Sequence, residues 1–305
     1  MTSSENRNRP GMALLIRLGA VAALATMSAL IKVAGEHHIN LIEILFWRQF
    51  VALPIILGWL LSTAGVSALA TKRPWSHARR AGFGLLGMVL NFGGVMLLPL
   101  AEATTMSFTA PIWAVILSTL VLKESVGIYR WAAVILGFTG VLVIAQPGGG
   151  HIPLFGACVA LGGAFMVAVV SIQIADLNKT ERPLTIVFWF AAFSTAITVV
   201  ALPFVITRHT PFEWLLLMGM AVSGTIGQIL LTSALRFGKV ASVIVMDYSS
   251  LFWATLYGWL IWHTLPSAST WIGAPLIIVA GIVIAWREHY LGRIGKRKRL
   301  ADPGT

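Results

Sequence analysis

Apolar residues run along this chain in blocks of about twenty, separated by short polar gaps. The blocks cover residues 12–34, 41–62, 80–100, 103–122, 127–146, 153–175, 183–206, 212–235, 239–262 and 269–287. An apolar stretch of about 20 residues is enough to cross a bilayer as a helix. Inside lipid, each such segment must satisfy its own backbone N–H and C=O groups. The pattern therefore predicts an all-α polytopic membrane protein with ten transmembrane helices. The gaps EHHIN, TKRPWSHARR, KESVG, QPGGGHIP, NKTERP, TRHTP and HTLPSAST carry loop chemistry. The third and fourth blocks nearly merge, and Pro99, Glu102 and their small neighbours divide them.

Composition agrees. Of 305 residues, 57% are hydrophobic and 11% charged, against about 25% charged in a soluble domain. The net charge of +11 would suit nucleic acid, but its distribution does not. Basic residues sit in the gaps and in the tail GRIGKRKR, residues 292–299, where they suit anionic lipid. With ten spans both termini share a side. Nineteen of the 22 Lys and Arg then fall on that side, leaving Arg208 opposite and Lys32 and Arg48 within spans. The positive-inside rule makes that side the cytoplasm. The chain shows no cleavable signal order. Its single cysteine, Cys158, offers no disulfide framework and is expected in the core.

An internal repeat sits beneath the spans. Phe46-Trp47 returns as Phe188-Trp189. TAPIWAVILSTLVLKE, residues 109–124, resembles YSSLFWATLYGWLIWH, residues 248–263, and Trp131 and Trp271 each open the next span. The unit is five helices used twice. Five is odd, so the second copy enters the membrane inverted. The gap around Glu102 lacks Lys and Arg, whereas its counterpart carries Arg236 and Lys239. This divides the chain into a tail (1–11), a first repeat (12–146), a linker (147–152), a second repeat (153–287) and a basic tail (288–305). Two inverted halves can exchange conformations around one central site.

These motifs carry a resemblance. The FWR element at Phe46-Trp47-Arg48, the run ending in Lys123-Glu124, GFTGVLVI at 137–144 and GIVIAWRE at 281–288 resemble the drug/metabolite transporter superfamily, EamA type. The match covers residues 12 to 288. It implies two five-helix halves and secondary transport of a small organic metabolite across the inner membrane. The fourth and ninth spans are similar to the branch containing S-adenosylmethionine uptake carriers; amino-acid exporters and riboflavin carriers share the architecture. The second half departs from the pattern, with Phe190 where the first has Arg48 and His263 where it has Glu124. Roles are therefore not copied between halves.

Charges within spans cost about 2.5–3.5 kcal/mol at the helix centre and need an account. Lys32 and Glu43 face each other across the VAGEHHIN loop, as an interfacial ion pair or with Lys32 snorkelling; Lys32 is also a substrate-binding candidate. Arg48 lies about 7–8 Å deeper than Glu43 and about 140° around the helix. It is expected to point into the bundle, toward backbone carbonyls at a helix break or an acidic solute group. Asp247 shares a stripe with Ser250, Ala254 and Tyr257. It can accept a proton, bind a cationic amine, or pair with Lys239 or Arg236.

Weaker candidates follow. Gln228 lies on one face with Thr225 and Thr232, Thr105 and Thr109 precede Pro111, Asn91 interrupts span three, and Ser28 lies a turn before Lys32. Taken alone, each of these hydroxyls is better explained by helix packing, since hydroxyls often bond their own backbone. Trp113 and Trp253 offer faces for a planar solute. Gly219, Ser223 and Gly227 read as a close helix contact.

No G-x-x-x-x-G-K-[ST] or H-E-x-x-H motif is present, so neither an ATP motor nor a cofactor or metal site is expected. The expected function is a carrier of amino-acid-like or S-adenosylmethionine-like solutes working by alternating access, with riboflavin or another planar metabolite as the alternative. The rival class, a membrane-embedded lipid-modifying enzyme, wants clustered acid–base residues, which are scattered here. The expected partners are the solute, protons titrating Asp247 and membrane lipid, but not nucleic acid, in a monomer or homodimer.

Overall fold

The computed structural model describes residues 10–63, 65, 69–120, 127–146, 152–177, 179–237 and 245–301. Among these, all regular structure is helical: α1 (Pro10–Glu36), α2 (Leu41–Thr63), α3 (Pro74–Leu97), α4 (Leu100–Ser107), α5 (Ala110–Leu120), α6 (Ile128–Ala145), α7 (Leu154–Leu177), α8 (Pro183–Ala201), α9 (Pro211–Phe237), α10 (Ser250–Trp262) and α11 (Ala268–Ala301). Taking α4 and α5 as one broken span, nine segments among the described residues are long and apolar enough to cross a membrane. The tenth span is α10, only 13 residues long and preceded by a 3-10 turn, Val245–Ser249.

Two boundaries differ from expectation. The third helix starts at Pro74 rather than at residue 80. Proline is suited to a first helical turn, where its missing N–H has no partner to lose. His77 and Arg80, expected in a loop, are therefore buried helical residues. The last helix continues through Ala301, past the expected end at 287.

The packing follows a two-fold relation between the halves. Moving each span on by five positions turns α1 into α7 and α3 into α9. The α1–α9 pair thereby becomes the α7–α3 pair, and both are long contacts in the bundle. The pairs α2–α8, α6–α11 and α4–α10 each join a span to its own counterpart.

Small residues make the close approaches possible, since lipid offers no hydrophobic drive between helices. At the α6–α11 crossing, a Cβ on Gly140 would lie 2.7 Å from the Gly273 carbonyl oxygen, and one on Gly273 would lie 2.6 Å from that of Gly140. In the α1–α9 contact, Gly219 and Gly227 sit against Leu30 and Leu24. Large apolar side chains face outward, as a lipid solvent allows; Ile135, Leu142 and Phe155 are 66%, 60% and 70% exposed. Cys158 is on that surface and not in the core, because its α7 neighbours Gly156, Ala157 and Ala160 take the packed face.

Candidate functional site

Two helix breaks meet at the centre of the bundle. In the fourth span, α4 ends at Ser107 and α5 begins at Ala110. Pro111 has no N–H to continue the ladder, and Thr109 Oγ1 donates to the Met106 carbonyl at 2.7 Å. In the ninth span, the 3-10 turn gives way to α10 at Ser250. Phe108 from one break packs edge-on against Tyr248 from the other, with ring centroids 5.0 Å apart. Tyr248 is seated because Gly281 of α11 has no side chain to exclude its hydroxyl.

Beside these breaks lies a cavity of about 450 Å³. Its walls come from α1, α3, α4, α5, α7, α9, α10 and the 3-10 turn, so both halves contribute. Most of the lining is apolar, including Val21, Leu24, Val95, Phe108 and Leu231. The polar groups are Arg17, Ser28, Asn91, Thr104, Ser107, Asp247, Tyr248 and Ser250. Arg17 donates to both carboxylate oxygens of Asp247, Nε to Oδ1 at 2.7 Å and Nη2 to Oδ2 at 2.5 Å. The cavity thus carries one compensated charge pair on a largely apolar wall.

The sequence-derived candidates divide between several environments. Asp247, Ser250 and Asn91 line the cavity, and Ser250 Oγ donates to the Asp247 carbonyl at 2.6 Å. The side chains of Arg236 and Lys239, the expected partners of Asp247, lie outside the described residues. Its partner is Arg17, which the charge count places among the nineteen basic residues of the cytoplasmic side; α1 starts at Pro10, and Arg17 is 6% exposed. Tyr257 is outside the lining and shares a 2.7 Å hydrogen bond with Thr26, tying α10 to α1. Thr105 and Thr109 are fully buried and bond their own backbone. Thr104, Ser107, Phe108 and Pro111 line the cavity instead. Their i, i+3, i+4, i+7 spacing is the stripe next to the one chosen from sequence.

Lys32 and Glu43 do not pair. Lys32 Nζ donates to the Leu98 carbonyl at 2.8 Å and the Val95 carbonyl at 3.4 Å, and sits 5.5 Å from the Trp262 ring. The end of α3 leaves carbonyls without helical donors and a negative dipole end, so it attracts the ammonium. Glu43, fully buried, is 2.6 Å from His209 Nε2, which sits just before α9. His209 Nδ1 lies 3.6 Å from Glu213, and His37 Nδ1 is 3.6 Å from the same residue.

Arg48 meets no helix-break carbonyl. Its Nη1 donates to Gln49 Oε1 at 3.1 Å, Nε lies 3.3 Å from Met27 Sδ, and the guanidinium sits 5.5 Å from the Phe92 ring. Arg48 and Gln228 line a separate cavity of about 80 Å³. Trp113 packs against the rings of Phe138 and Phe165 at 5.1 and 5.4 Å, so its ring is engaged by core aromatics and not held toward the cavity. Sequence reasoning missed Arg17, Thr104, Ser107, Phe108 and Tyr248 as cavity residues. For Arg17 a signal existed, since it lies seven residues into the helix opened by Pro10. Among the described residues, no group of three or more His, Cys, Asp or Glu is placed to hold a metal ion.

This architecture has counterparts. A solved structure superposes on 93% of this chain and 99% of its own with a TM-score of 0.61 at 22% identity, a likeness of fold. A riboflavin transporter of Rhizobium johnstonii is 30% identical over 246 residues, covering 80% of each chain. The pseudopaline exporter CntI of Pseudomonas aeruginosa is 28% identical, covering 89% of this chain and 95% of its own. An S-adenosylmethionine uptake transporter of Rickettsia bellii is 27% identical, covering 81% and 84%. The model of the EamA-like transporter family matches residues 11–146 and 154–286. With two copies of that motif filling nearly all of its ten-helix body, this chain belongs to the EamA-like transporter family.

Proposed function

We propose that the chain carries a small organic metabolite through the 450 Å³ cavity by alternating access, in the inner membrane with both termini cytoplasmic. One observation carries the reading: both helix breaks border a single cavity built from both halves, with Arg17 of one half paired to Asp247 of the other. Discontinuous helices at a repeat interface are where secondary transporters hold their solutes. A cavity of this size falls within the usual range for small-molecule sites, about 300–1,000 Å³.

The favoured solute is zwitterionic, amino-acid-like or S-adenosylmethionine-like. A neutral site with one ion pair can exchange that pair for the two charges of the solute: ammonium to Asp247, carboxylate to Arg17. The apolar wall accepts the solute's body. Asn91, Thr104, Ser107 and Ser250 supply hydrogen bonds. Protonation of Asp247 would release Arg17 and couple solute movement to a proton. The division into two repeats follows residues 12–146 and 153–287, and the protein works as a monomer or homodimer in contact with lipid.

A planar solute such as a flavin is the second reading, favoured by Phe108 and Tyr248 side by side at the cavity. Reconstitution into sealed vesicles with labelled amino acids, S-adenosylmethionine and riboflavin tests both. Saturable flux of a zwitterion supports the first, flux of riboflavin alone the second, and turnover or binding without flux defeats transport.

A further inference from the structure

The second cavity has a charge problem that the central one does not. It lies among α2, α3, α8 and α9, and Arg48 and Arg80 both line it. The remaining lining includes no Asp or Glu. Arg80 is 8% exposed, and its Nε and Nη1 are buried with no hydrogen-bond partner. Its guanidinium lies 3.8 Å from the Phe190 ring, an attraction that holds the plane but leaves the N–H edge unsatisfied. Arg48 is served by Gln49 and two methionine sulfurs, all neutral. Nearby acids on the loop side are engaged: Glu181 by Thr71 at 2.7 Å, and Asp176 by Arg73 at 2.5 Å.

Two guanidiniums in a low-dielectric interior without a carboxylate leave an uncompensated charge, and unmade charged hydrogen bonds are costly. We propose that this cavity is a small-anion site, distinct from the solute cavity, in which one chloride-, phosphate- or carboxylate-sized anion bridges Arg48 and Arg80. The space is about 80 Å³, room for a few waters or one such ion and too little for the metabolites considered above. Planar guanidinium forks suit oxyanions in particular. Arg48 and Arg80 belong to the first half, while Phe190, Thr225 and the rest of the α8–α9 wall belong to the second. A bound anion therefore sits on the seam between halves and favours the conformation that keeps the seam closed.

The test is binding, with no solute gradient, so it stands apart from the transport reading. Full-length protein in lipid nanodiscs is melted in sodium chloride, acetate or phosphate at constant ionic strength. The reference is a buffer whose only anion is a bulky organic sulfonate. A ligand of the folded state raises the midpoint in a saturable way. At least one small anion is expected to do so for the parent. Arg80→Gln and Arg48→Gln are expected to weaken that anion at least tenfold, and Arg80→Lys less. Ala191→Glu, which places a carboxylate on the cavity wall, is expected to remove the anion dependence. A parent that melts identically in all four salts, or an Arg80→Gln variant with the parent's saturation curve, overturns the site.

Discussion

Arg17 and Asp247 stand 230 positions apart and close on each other through two hydrogen bonds beside the central cavity. Each comes from a different half, so any motion that separates the halves at this point must break the pair. A charge-assisted hydrogen bond contributes about 1.5–3 kcal/mol. With part of the Asp247 side chain exposed to the cavity, the lower end applies. Such a pair is strong enough to bias one conformation and weak enough for a solute to displace.

Asp247→Asn is predicted to lower vesicle flux about tenfold, equivalent to about 1.4 kcal/mol, and to flatten its pH dependence. The variant keeps the side chain's shape and removes the charge that Arg17 and the solute ammonium need. Flux and pH profile equal to the parent's would remove Asp247 from any coupling role. Arg17→Gln should show the complementary loss for solutes that bear a carboxylate, and little loss for those without one.

Lys32 gives the opposite expectation. Its ammonium holds the carbonyls at the end of α3. Lys32→Met is predicted to cost about 1.5–3 kcal/mol of stability while leaving the solute KM near the parent's. A several-fold rise in KM with an unchanged melting midpoint would return Lys32 to the solute.

The α6–α11 crossing makes a steric prediction. Gly140 and Gly273 face each other so closely that an added methyl meets a backbone oxygen, which cannot rotate away. Gly140→Ala is predicted to cost about 1–3 kcal/mol, the usual penalty for overpacking. Gly82→Ala is the control, because nothing lies within 4 Å of a Cβ there. Equal melting midpoints for the two variants would mean the helices separate without penalty.

Much of the architecture was legible because lipid imposes it. Twenty-residue apolar blocks have few other uses, and the Phe46-Trp47 and Phe188-Trp189 echo exposed the repeat. The site was legible only in part. Asp247, Ser250 and Asn91 declared themselves as polar groups in apolar blocks. Their partners did not, because pairing in space joins distant positions: Arg17 with Asp247, or Glu43 with His209, 166 positions on. Lys32 and Glu43, near in sequence and opposite in charge, were the obvious pair, yet a helix end and a histidine took them. On α4, a one-residue error of phase turns the face by about 100°, which separates the buried Thr105 from the cavity-lining Thr104. Arg80 was hidden by its basic neighbours, which read as a loop until Pro74 is taken as a helix start.

Outside the membrane spans, the Arg73–Asp176 contact gives a pH prediction. The hydrogen bond from Arg73 holds the Asp176 carboxyl below its ordinary range, against the smaller opposing effect of desolvation. A folded pKa below the unfolded one means the contact stabilises above the unfolded value and is lost as pH falls through the folded value. The melting difference between the parent and Asp176→Asn should therefore be constant from neutral pH to about 5 and shrink as the pH falls below about 4. Because the pair is exposed, 1 M salt should also shrink it, the screening length there being about 3 Å. A difference that grows toward acid would contradict the assignment.

The buried Glu43–His209 contact makes the strongest stability claim. Both side chains are almost completely excluded from solvent, and His209 stands between two carboxylates. It joins the start of α2 to the start of α9, and so one half to the other. Removing one partner of a buried hydrogen bond leaves the other unsatisfied and costs about 1–3 kcal/mol, whereas replacing both need not. His209→Gln and Glu43→Gln are each therefore predicted to melt below the parent, and the double variant Glu43→Gln, His209→Gln to lose less than the two single losses together. Non-additivity above about 0.5 kcal/mol in a double-mutant cycle is the expected signature of direct contact. If the two single losses simply add, the two groups act independently, and the apolar packing around them, Trp47 on Trp214 included, holds the starts of α2 and α9 together.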